Sequence, residues 1–130
     1  MKTVKRSFVY VLINHDKSMY KIGRTDNVKK RMLELEVFWG KFDLNGSYAI
    51  ECDRIFVNHL EKMLHCLVSD SKMFFQKEDR KIGHSEFFNY SSFNKLKKFV
   101  KGDLQKFKQD LKFIEMRNIT NKKIDGLFFQ

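Results

Sequence analysis

The stretch Phe8-Val9-Tyr10-Val11-Leu12-Ile13, followed by Asn14-His15-Asp16-Lys17-Ser18 and then Met19-Tyr20-Lys21-Ile22-Gly23, decides how the chain is read. An apolar run rich in aromatic and β-branched residues, a polar interval and a second short run predict a β-hairpin. Thr25 and Asp26 can each cap a helix after it. On that helix Val28, Met32 and Leu35 recur at helical spacing, and Gly40 stands where it should stop.

Further out, a turn around Asn45-Gly46 precedes residues 47–52, whose Tyr48 and Ile50 predict a third strand. Asp53 can cap a second helix with Phe56, Leu60, Met63, Leu64 and Leu67 on its apolar face. Residues 69–85 are polar and irregular, carry Lys72, Lys77, Arg80 and Lys81, and read as a long basic loop. Glu86-Phe87-Phe88-Asn89-Tyr90 returns to the core, and Ser91 or Ser92 can cap a last helix. That helix carries Phe93, Leu96, Val100, Leu104, Phe107, Leu111 and Ile114 on one side, and Lys95, Lys98, Lys101, Lys108 and Lys112 on the other.

The expected fold is α+β: a small three-stranded antiparallel sheet flanked by helices, with an extra C-terminal helix. At 130 residues the chain is the size of one domain. Residues 1–90 are expected to form its core, and residues 91–130 a basic amphipathic helix and tail packed on that core.

Lys and Arg number 26 against 16 Asp and Glu, a formal charge of +10, which favours a polyanionic partner. Residues 91–130 hold ten Lys or Arg and four Asp or Glu, so this last third carries +6 of that charge. No stretch is long and apolar enough to span a bilayer, and residues 1–8 lack the apolar core of a secretion signal. The expected location is intracellular, in the cytoplasm, or in the nucleus in a eukaryotic or viral setting. Cys52 and Cys66 are expected as free thiols there, and with His59 and His65 they offer none of the usual zinc-ligand spacings.

The ordered set Tyr10, Lys21, Gly23, Arg31 and Glu61, with these elements between its members, resembles the GIY-YIG superfamily over roughly residues 8–90. Phe8-Val9-Tyr10 stands at the first named tripeptide and Lys21-Ile22-Gly23 at the second. Lys21-Ile22-Gly23-Arg24-Thr25 is similar to a branch with small phage-associated and cellular members, and Glu86-Phe87-Phe88 resembles its late acidic-aromatic signature. Leu35 replaces a histidine that some members carry on the first helix.

The resemblance implies hydrolysis of DNA phosphodiester bonds with a divalent cation, Mg2+ or Mn2+. Glu61 would hold the cation, and Tyr10 would take the proton from water. A free phenol has a pKa of about 10, so that role needs cationic neighbours, and Lys21 across the hairpin is the expected one. Arg31 would grip a phosphate, and His65, one turn after Glu61, would orient the glutamate or bind phosphate. Arg24, Arg80, Lys81, Lys98 and Lys101 are candidates for backbone-phosphate contacts. Taken singly, each of these residues also fits an ordinary strand aromatic or solvated helix position. The alternative reading is a noncatalytic nucleic-acid-binding module on the same fold. One active site per chain would make double-strand cleavage a matter of a homodimer or of sequential nicking.

Overall fold

In the computed structural model, which describes residues 5–109 and 114–119, the run that opens the sequence becomes the centre of a five-stranded sheet. β1 (Arg6–Asn14) has β2 (Met19–Thr25) on one side and β3 (Phe42–Asp53) on the other, both antiparallel. Its side chains alternate between two cores. Phe8, Tyr10 and Leu12 enter one with Val28, Met32 and Leu35 of α1 (Val28–Trp39). Val9, Val11 and Ile13 enter the other, beneath α2 (Val57–Leu67) and α3 (Phe93–Lys101). A strand covered on both faces has no solvent side to place polar residues on, which is why it reads as an unbroken apolar run.

The sheet order is β4-β2-β1-β3-β5, with β4 at Phe87–Asn89 and β5 at Glu115–Asn118, so the expected three strands are too few. The two additions are three and four residues long, too short to show a period-two pattern. β5 is fastened through Glu51, which is buried and accepts from Arg6 Nη1 at 2.8 Å and Arg117 Nη2 at 3.2 Å.

Other expectations are corrected by local chemistry. Asn27, not Thr25 or Asp26, caps α1, its Oδ1 accepting from Lys30 N at 3.1 Å. Asp53 makes a turn instead of a cap: its Oδ1 takes Ile55 N at 3.0 Å, and α2 starts later, at Val57. Asn45-Gly46 is no turn between elements; it lies inside β3, where the register against β1 jumps between Val11 and Ile13. Gly46 absorbs that bulge at φ 94°, and Ser47 Oγ fills the gap by accepting from Ile13 N at 3.0 Å.

The last helix is much shorter than expected. α3 ends at Lys101, Gly102 closes it with its N–H on the Lys98 carbonyl, and a short 3-10 turn follows at Asp103–Phe107. Leu104 and Ile114 are still buried in the same core without a continuous helix, whereas Phe107, expected on the apolar side, is exposed. Leu111 and Lys112 lie outside the described residues. Among the described residues no helix is long and apolar enough to cross a membrane.

Burial raises the pKa of Tyr10, Tyr20 and Tyr48, and pushes the Cys52 thiol up to about 12. Unfolded, these groups ionise from their ordinary values of 9.0 and 10.0. The folded chain holds their protons longer, so their contribution is complete below those values and is lost as pH climbs through and beyond them. Lys21 works the other way, because burial lowers its pKa, but it is one group against four. The thermal midpoint is therefore expected to fall between pH 8 and pH 11, by roughly 3–6 °C for each kcal/mol lost. A midpoint that does not change over that interval would contradict the burial of these groups.

Candidate metal centre and cleft

β4 pairs only with Met19, Tyr20 and Lys21, so residues 22–25 of β2 run past its end and leave a stretch of sheet edge that side chains from both faces can reach. His65 of α2 comes to it from one face: its Nε2 donates to the Ile22 carbonyl at 3.0 Å. A carbonyl can only accept, so Nε2 carries the hydrogen and the neutral ring keeps its lone pair on Nδ1. Burial lowers the pKa of His65, which favours that neutral form.

Tyr10 comes from the other face. It pairs across the hairpin with Gly23, and its ring lies directly over that glycine, where an added Cβ would fall 2.2 Å from the hydroxyl. Only the missing side chain allows the phenol to reach the edge. There the Arg31 guanidinium lies close enough for its charge to favour the phenolate, and it also meets Glu34 at 3.3 Å.

Lys21 is fully buried on the same face as Tyr10. Its ammonium pairs with Glu86 and donates to the Gly83 carbonyl at 3.2 Å. Gly83 sits in the left-handed region at φ 81°, and an added Cβ there would lie 2.9 Å from Lys21 Nζ, so the loop wraps closely around the ammonium. That loop is held in turn by the end of α1. Trp39 Nε1 donates to the Ile82 carbonyl at 2.6 Å, and Lys81 Nζ donates to the Phe38 carbonyl at 3.1 Å.

These constraints bring Glu61, His65 and Glu86 together, with ligand-type atoms from each within 4.8 Å of one another. Glu61 Oε2 is buried without a hydrogen-bond partner, and Glu61 Oε1 is 3.8 Å from Arg24 Nε. Burial first, and then the neighbouring Glu86, raise the pKa of Glu61. Two adjoining carboxylates, one with an orphaned oxygen, and a neutral imidazole make a donor set that could hold a divalent cation. The residues present fit such an ion.

The cluster opens on a cleft of about 500 Å³ lined by Tyr10, Arg24, Arg31, Glu61 and Glu86, with Ser7, Asp26 and Arg54 further along. Tyr10, Arg31 and Glu61, together with Arg24, one of the candidate phosphate contacts, thus line one cleft, and His65 lies beside Glu61 in the cluster. Lys21 departs from its expected place: it faces Glu86, and it is Arg31 that lowers the Tyr10 pKa, against the larger effect of burial. Arg80, Lys81, Lys98 and Lys101 do not line the cleft. Arg80 Nε donates to the Phe75 carbonyl at 3.2 Å, and Lys81 Nζ to the Phe38 carbonyl at the end of α1. Glu86 is a site residue that the sequence marks only through its acidic-aromatic context; Asp26 reads there as a helix cap, and Arg54 and Ser7 carry no functional pattern.

Residues 7–108 match the family model described as the T5orf172 domain, a phage-associated family of nuclease-like and DNA-binding domains. No curated protein and no solved structure matches the chain. This finding corrects the resemblance to the GIY-YIG superfamily, which is a different family and is not matched. The three departures from its tripeptides are built into the fold: Phe8 is packed against α1, Val9 lies in the core on the other face of the sheet, and Lys21 is buried as the partner of Glu86. The match spans well over half of the sequence, and the chain belongs to the T5orf172 domain family.

Proposed function

We propose that the protein is a divalent-cation-dependent endonuclease acting on DNA. The observation that carries this reading is the meeting of Glu61, His65 and Glu86 at the mouth of a cleft that also holds Tyr10, Arg24 and Arg31. The nuclease-like character of the family and the charge of +10 support it.

Mg2+ or Mn2+ held by Glu61 and Glu86, with His65 beside them, would neutralise charge on the phosphoryl group and stabilise the departing oxygen. Arg31 and Arg24 bind the non-bridging phosphate oxygens, where a planar guanidinium offers paired donors. Tyr10 holds its proton in the resting protein, because burial and the charges of Glu86 and Glu61 outweigh the opposing effect of Arg31. With those carboxylates neutralised, burial opposed by Arg31 is what remains. To take the proton of the attacking water, Tyr10 must first give up its own to bulk solvent and act as the phenolate that Arg31 favours, and Lys21 keeps Glu86 in place.

Plasmid DNA incubated with the protein is expected to be nicked in Mg2+ or Mn2+ and left intact in EDTA. Because the proton acceptor titrates above the assay range, the rate should rise about tenfold per pH unit between pH 6 and pH 9. Tyr10→Phe should remove that slope together with the activity. A profile that levels off below pH 8 would move the proton acceptor from Tyr10 to a group that titrates lower. Binding that weakens steeply with salt, in the absence of any cleavage, would leave the noncatalytic module as the correct reading.

A further inference from the structure

The cleft continues beyond the metal centre, and its far wall is built by three side chains held in series. Ser7 Oγ donates to Asp26 Oδ1 at 2.6 Å, and Asp26 Oδ2 accepts from Arg54 Nη2 at 2.8 Å. The Arg54 backbone is pinned as well, its N–H donating to the Lys5 carbonyl at 2.8 Å. Arg54 therefore presents a guanidinium that is oriented by a carboxylate yet still half exposed, at 51%. Most of its five donors remain for a ligand.

The space exceeds what one reacting group needs. The six waters of a hydrated ion occupy roughly 180 Å³, at about 30 Å³ each, and the cleft holds about 500 Å³. Three guanidiniums, from Arg24, Arg31 and Arg54, line that one volume. Apart from Tyr10, whose ring is laid over Gly23, no aromatic face among the described residues lines the cleft to offer a stacked base a platform. A held guanidinium in a base-free cavity matches a phosphate.

We propose that Arg54, oriented by Asp26, is the binding site for a second backbone phosphate, adjacent to the phosphate at the metal centre. The cleft thus recognises two consecutive phosphates of one strand. This subsite rests on the nucleic-acid reading above and does not require turnover.

The test is competition against a fluorescein-labelled DNA duplex, followed by anisotropy in calcium. The competitors are dithymidine monophosphate, with a single phosphate, and its 5′-phosphorylated and 3′-phosphorylated forms, with two. The better of the two-phosphate forms is expected to bind about tenfold more tightly than the one-phosphate form. Arg54→Gln is expected to bring that ratio close to one, and Asp26→Asn, which keeps the arginine but frees it, to lower it. Should circular dichroism show Arg54→Gln misfolded, the Asp26→Asn ratio decides. A wild-type ratio near one, or a tenfold ratio kept in the folded variants, would overturn the subsite. Plasmid cleavage is read separately: its absence removes the catalytic reading and leaves the binding ratio to judge the subsite.

Discussion

Glu61→Gln and Glu86→Gln are each expected to lower cation-dependent cleavage by at least about a thousandfold, the scale of losing one group that meets developing charge. Their effects on stability should differ in direction, and that difference separates a metal centre from a structural ion pair. Glu61 has a raised pKa, a buried oxygen without a partner and Glu86 as its neighbour, so its charge costs the resting protein stability at neutral pH. Its removal should leave the thermal midpoint unchanged or higher. Glu86 is the counter-ion of a fully buried ammonium, and Glu86→Gln strands the charge on Lys21. Breaking a buried pair from one side costs about 3–5 kcal/mol, and the lower figure applies here because Glu86 is partly exposed and Lys21 can shed its proton. The double change Lys21→Met with Glu86→Gln should recover much of that stability and none of the activity. Manganese should raise the midpoint of the wild-type protein and fail to raise it in either single variant. A Glu61→Gln protein that cuts DNA at the wild-type rate would remove Glu61 from the metal centre.

How far the sequence could be read depended on whether a feature repeats. α1 and α2 were legible because Val28, Met32 and Leu35, and Leu60 and Leu64, recur at the helical period and fill the two cores. β1 and β2 were legible because a centrally placed hairpin concentrates aromatic and β-branched residues between polar turns. β4 and β5 were not, since neither is long enough for a pattern and both are defined by the strand they join. The C-terminal overreach comes from apolar residues beyond Gly102 whose spacing imitates a helix: Leu104 and Ile114 are buried from irregular backbone, while Phe107 is exposed.

The site divides in the same way. Tyr10, Arg31 and Glu61 stand at fixed offsets on regular elements, and the structure brings them into one cleft. Glu86 reaches the cleft only because the preceding loop closes over Lys21, a long-range event without local signature. Arg54, Asp26 and Ser7 sit at element ends, where polar residues are ordinary. Arg80 and Lys81, picked out by their charge, lie outside the cleft lining and each donates to a backbone carbonyl, of Phe75 and of Phe38.

Gly23→Ala is expected to separate the fold from the chemistry most sharply. The new Cβ would stand 2.2 Å from the Tyr10 hydroxyl and 2.4 Å from its ring carbon, and the phenol is packed too tightly to yield by rotation alone. Overpacking of this kind costs about 1–3 kcal/mol, so the domain should still fold at 25 °C, with a lower midpoint. The ring, however, must leave the surface of β2, which takes its hydroxyl away from Arg31 and from the cleft. Cleavage should fall as far as it does in Tyr10→Phe. Shortening the tyrosine removes the collision, so in a Tyr10→Leu background Gly23→Ala should cost almost nothing further. The two changes are then strongly non-additive in stability, with a coupling of about 1–2 kcal/mol in a double-mutant cycle. Additive costs would mean that the ring does not lie over Gly23. Equal cleavage by Gly23→Ala and the wild type would mean that the position of the phenol is immaterial to the reaction.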